Sequence, residues 1–562
     1  MRREHGLPTS IKALPLTFAA SVSARRVAHR PALSNALWLI TLFFAAGTLS
    51  ILRGQDANWD LQNYHYYNPW AWWTGRIFDR DIAAAQLQTF HNPLLDMPFF
   101  AMVQWDWPPR IIAFVLAVPA GVAAFFLSKL LPYLFADLEP RERRIAVGCA
   151  FAIGITGAMG VATLGTTMNE SQLAALVIAA LWIIMRDIAR SAGTTVRTRA
   201  LVLAGALSGA AAGGKLTAAT FAVALCAALL LRFPLDAGTI RERIRQALWF
   251  GIGVVGGLCV TFAPWAIALW RHFDNPVFPY LNQWFQSPWW ESVQVLGRAY
   301  GPHGVGEWLA FPFHLFGPGE GFVTEVQYRD ARFPTAWTLS LAGAAAWLSY
   351  RIGRRPMPVV PPQVSAAWRL VAAFVVISFL LWTAQHSIFR YIVTLEMLTG
   401  AIIVSMLQRL LRPGYLAGVA CAIAVLLIAT TRFGDWWHID FGERWFDVAA
   451  PSIERDAMML ITTGAPVSYV LPLLPADARH VGVSNNVNGP GRDFRLSESV
   501  TKAIESHRGP FYELTYEPES RTGELREHFG LVRVPGSCAP IASRMKPYSL
   551  QICRLAKAPD GD

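Results

Sequence analysis

Residues 54–100 read GQDANWDLQNYHYYNPWAWWTGRIFDRDIAAAQLQTFHNPLLDMPFF and follow directly on the apolar run 35–52. They set Asp56, Asp60, Asp79 and Asp81, with His65 and His91, in a belt of Trp and Tyr at the end of a membrane-length segment. Trp and Tyr collect where a membrane meets water. A bare structural loop has little use for so many acids beside hydrocarbon, where charge is costly. The loop is read as the chemical end of an integral membrane enzyme.

Working outward, 54% of the 562 residues are apolar and only 15% charged, which lies outside the usual soluble range. Windows long enough to cross about 30 Å of hydrocarbon as helix recur through the first three quarters of the chain. They predict spans near 35–52, 110–131, 145–164, 172–188, 200–213, 216–231, 247–270, 335–350, 368–384, 388–408 and 413–431. Gly213-Gly214-Lys215 is either a tight turn between two short spans or a kink in one long one, so the number is eleven or ten.

Short cytoplasmic loops carry the Lys and Arg excess. With eleven spans and a cytoplasmic N-terminus, the inner loops hold Arg141, Arg143 and Arg144; Arg186, Arg190, Arg197 and Arg199; Arg232, Arg241, Arg243 and Arg245; Arg351, Arg354 and Arg355; and Arg409 and Arg412. The net charge of +11 is thereby explained by topology. Its cations are spread among loops rather than gathered on one face, and no nucleic-acid motif is present, so no nucleic-acid partner is expected. The basic segment 1–34 has no clear small-residue cleavage site and reads as the lead into an uncleaved signal anchor.

This topology divides the chain into a helical module, 35–431, with outer loops 53–109 and 271–334, and a polar extracytoplasmic domain, 432–562. In that domain 467–474 and 531–534 read as strands and 496–506 as an amphipathic helix, which predicts a small α/β unit. Cys149, Cys226, Cys259 and Cys421 fall within spans as small packing residues. Cys538 and Cys553 lie in the outward-facing tail and are expected to pair, closing a strand hairpin; the alternative is two buried free thiols.

From Asp60, aromatic residues at Tyr64, Tyr67, Trp70 and Trp73 recur at threes and fours before Gly75-Arg76. That spacing predicts an amphipathic helix in the membrane interface with Asp60 at its start, where Asp60 is either a simple helix cap or a functional acid. The pattern resembles the GT-C superfamily of integral membrane glycosyltransferases, which includes aminoarabinose transferases and protein O-mannosyltransferases. In that class an acid follows the first span, an aromatic often comes four residues on, and Gly-Arg or Gly-Gly ends the interfacial helix; here these places fall on Asp60, Tyr64 and Gly75-Arg76. The family's Asp-Glu pair is Asp60-Leu61 here, which leaves Asp56 as a rival for the catalytic role. His91-Asn92-Pro93-Leu94 resembles the family's later Pro-Leu segment of the same loop.

The resemblance implies a mainly α, polytopic bundle and transfer of a sugar from a polyprenyl phosphate to a glycan, lipid or protein acceptor, at the outer face of a bacterial-type inner membrane. A carboxylate that takes the acceptor's proton contributes on the order of 10²–10⁴ in rate. A phosphate leaving group calls for cations at the membrane rim. Three places supply them: Lys215 at the glycine break; Arg390-Tyr391, which resembles an Arg-Tyr of the superfamily near the donor phosphate and has Glu396 on the same helix; and Arg271-His272 ahead of Asn275-Pro276. Lys215 has the alternative of a snorkelling lysine.

Asp79, Asp81, His65 and His91 are the residues able to ligate a divalent ion, although no tight ligand spacing appears, and no cofactor is otherwise expected. Glu325, Arg329 and Asp330 read either as a charged surface turn or as lining of an acceptor groove. Two other classes stay open: a transporter or flippase, against which stands the absence of an inverted repeat, and a non-catalytic component of polysaccharide export. The sequence leaves the oligomeric state open.

Overall fold

The computed structural model describes residues 20–190, 196–231, 239–293, 300–317, 323–353, 362–412, 414–516, 522–545 and 549–558. Most of the basic N-terminal segment lies outside them.

Each expected span meets a helix: α1 (Ala20–Arg53), α2 (Pro109–Leu134), α3 (Pro140–Ile155), α4 (Glu170–Arg190), α5 (Thr198–Gly214), α6 (Ala219–Leu230), α7 (Ile240–Phe273), α8 (Arg332–Ile352), α9 (Pro362–Gln385), α10 (Val393–Leu410) and α11 (Leu416–Thr430). Among the described residues six stretches have the length and hydropathy to cross a bilayer: 33–53, 109–133, 170–190, 240–273, 366–385 and 389–410. The others are shorter or less apolar and complete the same bundle. The protein is a multi-pass membrane protein.

Between helices in lipid, close packing replaces the hydrophobic effect as the source of association. The α5–α7 pair illustrates it. A Cβ at Gly205 or Gly209 would run into the carbonyl of Phe250 or Val254, and one at Gly253 or Gly257 into that of Val202 or Ala206. Contacts advance in step along both chains, so α5 and α7 are parallel and α6 is the return leg. The Gly213-Gly214-Lys215 break is therefore a turn: Lys215 is extended, and the 3₁₀ turn Leu216–Ala218 starts the return.

The expected span 145–164 is not continuous. Helix α3 stops at Ile155, and the chain restarts as the short helix Ala158–Ala162. Glu396 of α10 occupies the place a side chain at Gly157 would need, and its carboxylate accepts from the N–H groups of Met159 (3.0 Å) and Gly160 (2.7 Å). Asp330 accepts from Ala158 N (2.9 Å) and pairs with Arg332 (2.7 Å), whose Nε donates to Ile153 O (2.8 Å). Asp330 is thus buried inside the bundle rather than on a surface turn.

The segment expected to be one interfacial helix is a single π-helical turn, Leu61–His65, followed by a short helix, Tyr67–Trp73. Leu61 to Pro69 are buried throughout. Their polar side chains turn inward: Gln62 Nε2 donates to Ala57 O (2.7 Å) and Asn68 Nδ2 to Gln88 O (2.8 Å). Over this loop lies a sheet of β1 (Met458–Ile461), β2 (Arg479–Gly482), β3 (Phe511–Tyr516), β4 (Leu531–Arg533), β5 (Ala539–Pro540) and β6 (Leu550–Lys557). Its order is β2-β1-β3-β6-β4, with β5 also on β6; β1 is parallel to β2 and β3, and β6 is antiparallel to its neighbours. Helix α12 (Arg495–Ser506) matches its expectation.

The expected strand at 467–474 is instead the 3₁₀ helix Ser468–Leu473. Pro472 lacks the N–H that a central strand would donate. The segment buries Tyr469, Val470 and Leu471 in one apolar core with Leu61, Tyr66 and Phe99 of the loop. Cys538 and Cys553 are disulfide-bonded, tying the approach to β5 onto β6.

The loop also extends the sheet. Ile82 bridges Val481 in parallel, with Ile82 N donating to His480 O (3.0 Å) and Gly482 N to Ile82 O (2.8 Å). Beside the bridge, Asp81 is buried and accepts from Tyr67 Oη (2.9 Å), Arg76 Nε (3.1 Å) and Nη2 (2.9 Å), and His480 N (3.1 Å), and meets His480 Nδ1 at 3.0 Å. Arg76 thus joins loop to sheet.

Candidate functional site

Asp60 immediately precedes the π-helical turn, in helical backbone conformation, and its side chain makes no capping bond. It points to Arg390 in the 3₁₀ turn Phe389–Ile392 at the head of α10: Arg390 Nη1 lies 2.9 Å from Asp60 Oδ2. Both side chains are about nine-tenths buried. The guanidinium stacks over Trp436 (5.1 Å to the ring centroid) and beside Tyr391 (5.4 Å), and Nη1 also touches Met168 Sδ (3.5 Å). Its Nε is buried and has no hydrogen-bond partner among the described residues.

A second ion pair lies alongside. At the α5–α6 turn, Lys215 Nζ donates to Glu170 Oε1 (2.6 Å) and to Met168 O (2.9 Å), and sits 5.1 Å from the Tyr391 ring. Glu170 begins α4, and its Oε2 is buried without a partner among the described residues. Met168 and Tyr391 thus touch both cations.

The wall is built from the first loop. Tyr64 meets His91 edge-on (5.2 Å), and His91 Nε2 is 2.8 Å from Tyr280 Oη. His65 Nδ1 is 2.8 Å from Asp96, which also accepts from Asn169 Nδ2 (2.7 Å). Burial pushes the Asp60 carboxyl up, but Arg390, His65, Lys215 and His91 outweigh it and hold the group below its ordinary range. The same burial lowers His91 to about 4, against the pull of Asp60. Burial, Asp60 and Asp96 raise Tyr64 well above its usual value. At neutral pH the wall therefore offers an ionised carboxylate, a neutral imidazole and an intact phenol.

The structure brings together Asp60, Arg390, Tyr391, Lys215, Tyr64 and His91. Asp56 is held elsewhere: it accepts from Asn58 N (3.1 Å) and Nδ2 (2.7 Å) and from Thr167 N (2.9 Å) and Oγ1 (3.0 Å). Glu396 caps Ala158–Ala162, as described above. Arg271 is exposed, and His272 sits at the rim, 3.2 Å from the exposed Asp79. The metal-ligand candidates are dispersed: Asp79 to His272, Asp81 to Arg76 and His480, His65 to Asp96, and His91 to Tyr280. No three His, Cys, Asp or Glu side chains among the described residues form a metal-sized group.

Sequence reasoning missed Glu170, Met168, Asp96 and Trp436. Glu170 carried a signal, since an acid opening an apolar span is costly unless paired. Trp436 carried none, because only the fold returns the chain after α11 to the head of α10.

The bundle of apolar helices, with its first loop roofed by a C-terminal α/β unit, has the fold of a solved membrane protein. The chain aligns over 92% of its length with 97% of ArnT from Cupriavidus metallidurans, solved bound to undecaprenyl phosphate, at 12% identity and a TM-score of 0.51. Oligosaccharyltransferase from Archaeoglobus fulgidus, solved tethered to an acceptor peptide, aligns over 85% of this chain and 69% of its own at 13% identity and a TM-score of 0.46. No protein-family model matches the sequence, and no curated protein aligns with it significantly.

Proposed function

We propose that the protein is a membrane glycosyltransferase that moves a sugar from a polyprenyl phosphate to a glycan, lipid or protein acceptor on the outer face of the inner membrane. Its N-terminus is then cytoplasmic and the β1–β6 unit extracytoplasmic. The observation that carries this reading is the buried Asp60–Arg390 pair beside Lys215, an acid and two cations at the head of a membrane bundle. The fold shared with ArnT is consistent with it.

Asp60 acts as general base. The acceptor hydroxyl or amide gives its proton to the Asp60 carboxylate as it forms a bond to the anomeric carbon. The bond from that carbon to the phosphate oxygen breaks, and its electron pair leaves on the lipid phosphate. Arg390 and Lys215 face the charge that grows there, in a site where water is excluded and electrostatic stabilisation is strong. No enzyme nucleophile is needed for this single displacement.

The test is sugar transfer from a radiolabelled polyprenyl-phosphate-sugar pool to membrane acceptors, with wild type, Asp60→Asn and Asp56→Asn compared at equal amounts of folded protein. Transfer is expected to vanish with Asp60→Asn and to persist in whatever Asp56→Asn protein folds. Absence of transfer by wild type across a broad donor panel would turn the reading toward transport or export assembly.

A further inference from the structure

We propose that Asp60 and the donor phosphate compete for the same guanidinium, so that Arg390 holds Asp60 in a resting ion pair and donor binding sets the carboxylate free. The inference rests on the glycosyltransferase reading above and adds an order of events to it.

Three observations lead there. First, Asp60 is held by one contact: among the described residues Arg390 is the only hydrogen-bonding or ion-pair partner of its carboxylate. Asp56 and Asp81, buried in the same loop, are each fixed by several donors. Acids that only support the fold are saturated here, whereas Asp60 is tethered to a single movable partner.

Second, Arg390 is under-used. A guanidinium presents five N–H groups in a fork suited to two-point binding of phosphate. Among the described residues only Nη1 is engaged in the resting arrangement, with Asp60 and with a weakly accepting thioether, while the buried Nε has no partner. A phosphate that reached both Nη and Nε would satisfy a donor that Asp60 leaves orphaned. Trp436 and Tyr391 hold the guanidinium plane while its partner changes.

Third, the neighbouring cation is already engaged. Lys215 has two close acceptors, Glu170 and the Met168 carbonyl. In the resting site Asp60 and Glu170 pair with the two cations and Glu325 adds a further negative charge facing Arg390, so an arriving phosphate brings uncompensated negative charge and must displace a carboxylate from one of the cations. Lys215 keeps the Met168 carbonyl as a second acceptor, whereas Arg390 has a buried Nε without a partner among the described residues, so Arg390 is the cation that takes the phosphate and Asp60 the acid that yields. Once released, it no longer faces its strongest counter-charge and is free to take the acceptor's proton. An enclosed acid that becomes basic only after the donor is seated gives an ordered reaction, donor before acceptor.

The test is equilibrium binding of undecaprenyl phosphate, without sugar or acceptor, to the full-length protein in nanodiscs. If Asp60 and the phosphate compete for Arg390, Asp60→Asn binds the lipid phosphate about tenfold or more tightly than wild type, because a charged hydrogen bond no longer has to be broken. Arg390→Gln then loses the binding, and the double variant binds as weakly as Arg390→Gln alone. Should Asp60→Asn fail to fold, Asp60→Ser removes the same charge and carries the same expectation. Saturable binding by wild type with equal or weaker binding by the folded Asp60 variant would overturn the exchange and leave the glycosyltransferase reading standing. No saturable binding by any form would overturn the lipid-phosphate donor reading and the exchange with it.

Discussion

Replacing Asp81 with Asn keeps the size of the side chain and removes the charge that joins the first loop to the sheet. Arg76 and His480 are almost wholly buried against that carboxylate, at 2.9 and 3.0 Å. Asn accepts on one oxygen only and turns an amide donor toward Arg76 or Tyr67. Removing one partner of a buried pair costs about 3–5 kcal/mol. Arg76 also donates to the carbonyl of Ala476 (2.7 Å) and to that of Ala478, which places the loss near the lower end, about 3 kcal/mol. At 1.36 kcal/mol per decade this raises local opening of the loop–sheet junction roughly a hundredfold. Hydrogen exchange read by mass spectrometry follows it directly, because the amides of Ile82 and Gly482 form the bridge. Protection at both is expected to fall by that factor in Asp81→Asn. Asp79→Asn, which alters an exposed pair with His272, is expected to leave it nearly unchanged. Protection within threefold of wild type in a folded Asp81→Asn protein would refute the assignment of this cluster as the junction's anchor.

Burial pushes the Asp81 carboxyl up, but His480 and Arg76 outweigh it and hold the group well below the carboxylate range. Its contribution is therefore fully present above about pH 4 and lost as pH falls further, so Ile82 protection, corrected for intrinsic exchange, should be flat from pH 8 to 5 and decline below that. The lowered His91 stays neutral at working pH, so the pH profile of transfer between 5.5 and 8 should keep its shape in His91→Gln; an acidic limb lost only in that variant would contradict this. Gly209→Val drives a side chain into the Val254 carbonyl and should separate α5 from α7, seen as a lower unfolding temperature and poor recovery from membranes, with Gly251→Ala, whose Cβ meets open space, as the unaffected control. Cys538 and Cys553 close a loop of 15 residues, so Cys538→Ser with Cys553→Ser should cost about 3 kcal/mol in the β1–β6 unit, measured by denaturant unfolding.

The helix positions were legible in the sequence because a membrane span is a local property, a run of apolar residues of fixed length. The parallel course of α5 and α7 was not, since glycines in a window look alike whether they mark a turn or a close helix contact. The same limit explains the first loop. Tyr64, Tyr67, Trp70 and Trp73 have helical spacing, but Leu61 to Pro69 are buried against Phe99, Phe446 and Tyr469 while Trp73 stays exposed, so the predicted amphipathic helix became a buried π turn and a short helix. Residues 467–474 misled for a related reason: an apolar run reads as a strand until its proline and its neighbours in the core are known.

Asp60 was identifiable from its place after the first span, and Arg390 and Lys215 from their cost in or beside hydrocarbon. Their assembly was not identifiable, nor was the presence of Glu170, Met168 and Trp436 beside them. Asp56 and Asp60 are equivalent as letters; the donors from Asn58 and Thr167 saturate one, and among the described residues the other pairs with Arg390 alone. By itself the sequence determined that the chain enters a membrane many times, because hydrophobicity acts residue by residue. Only the tertiary structure decided which acid meets which cation, because contacts across 330 residues of chain depend on how the bundle closes.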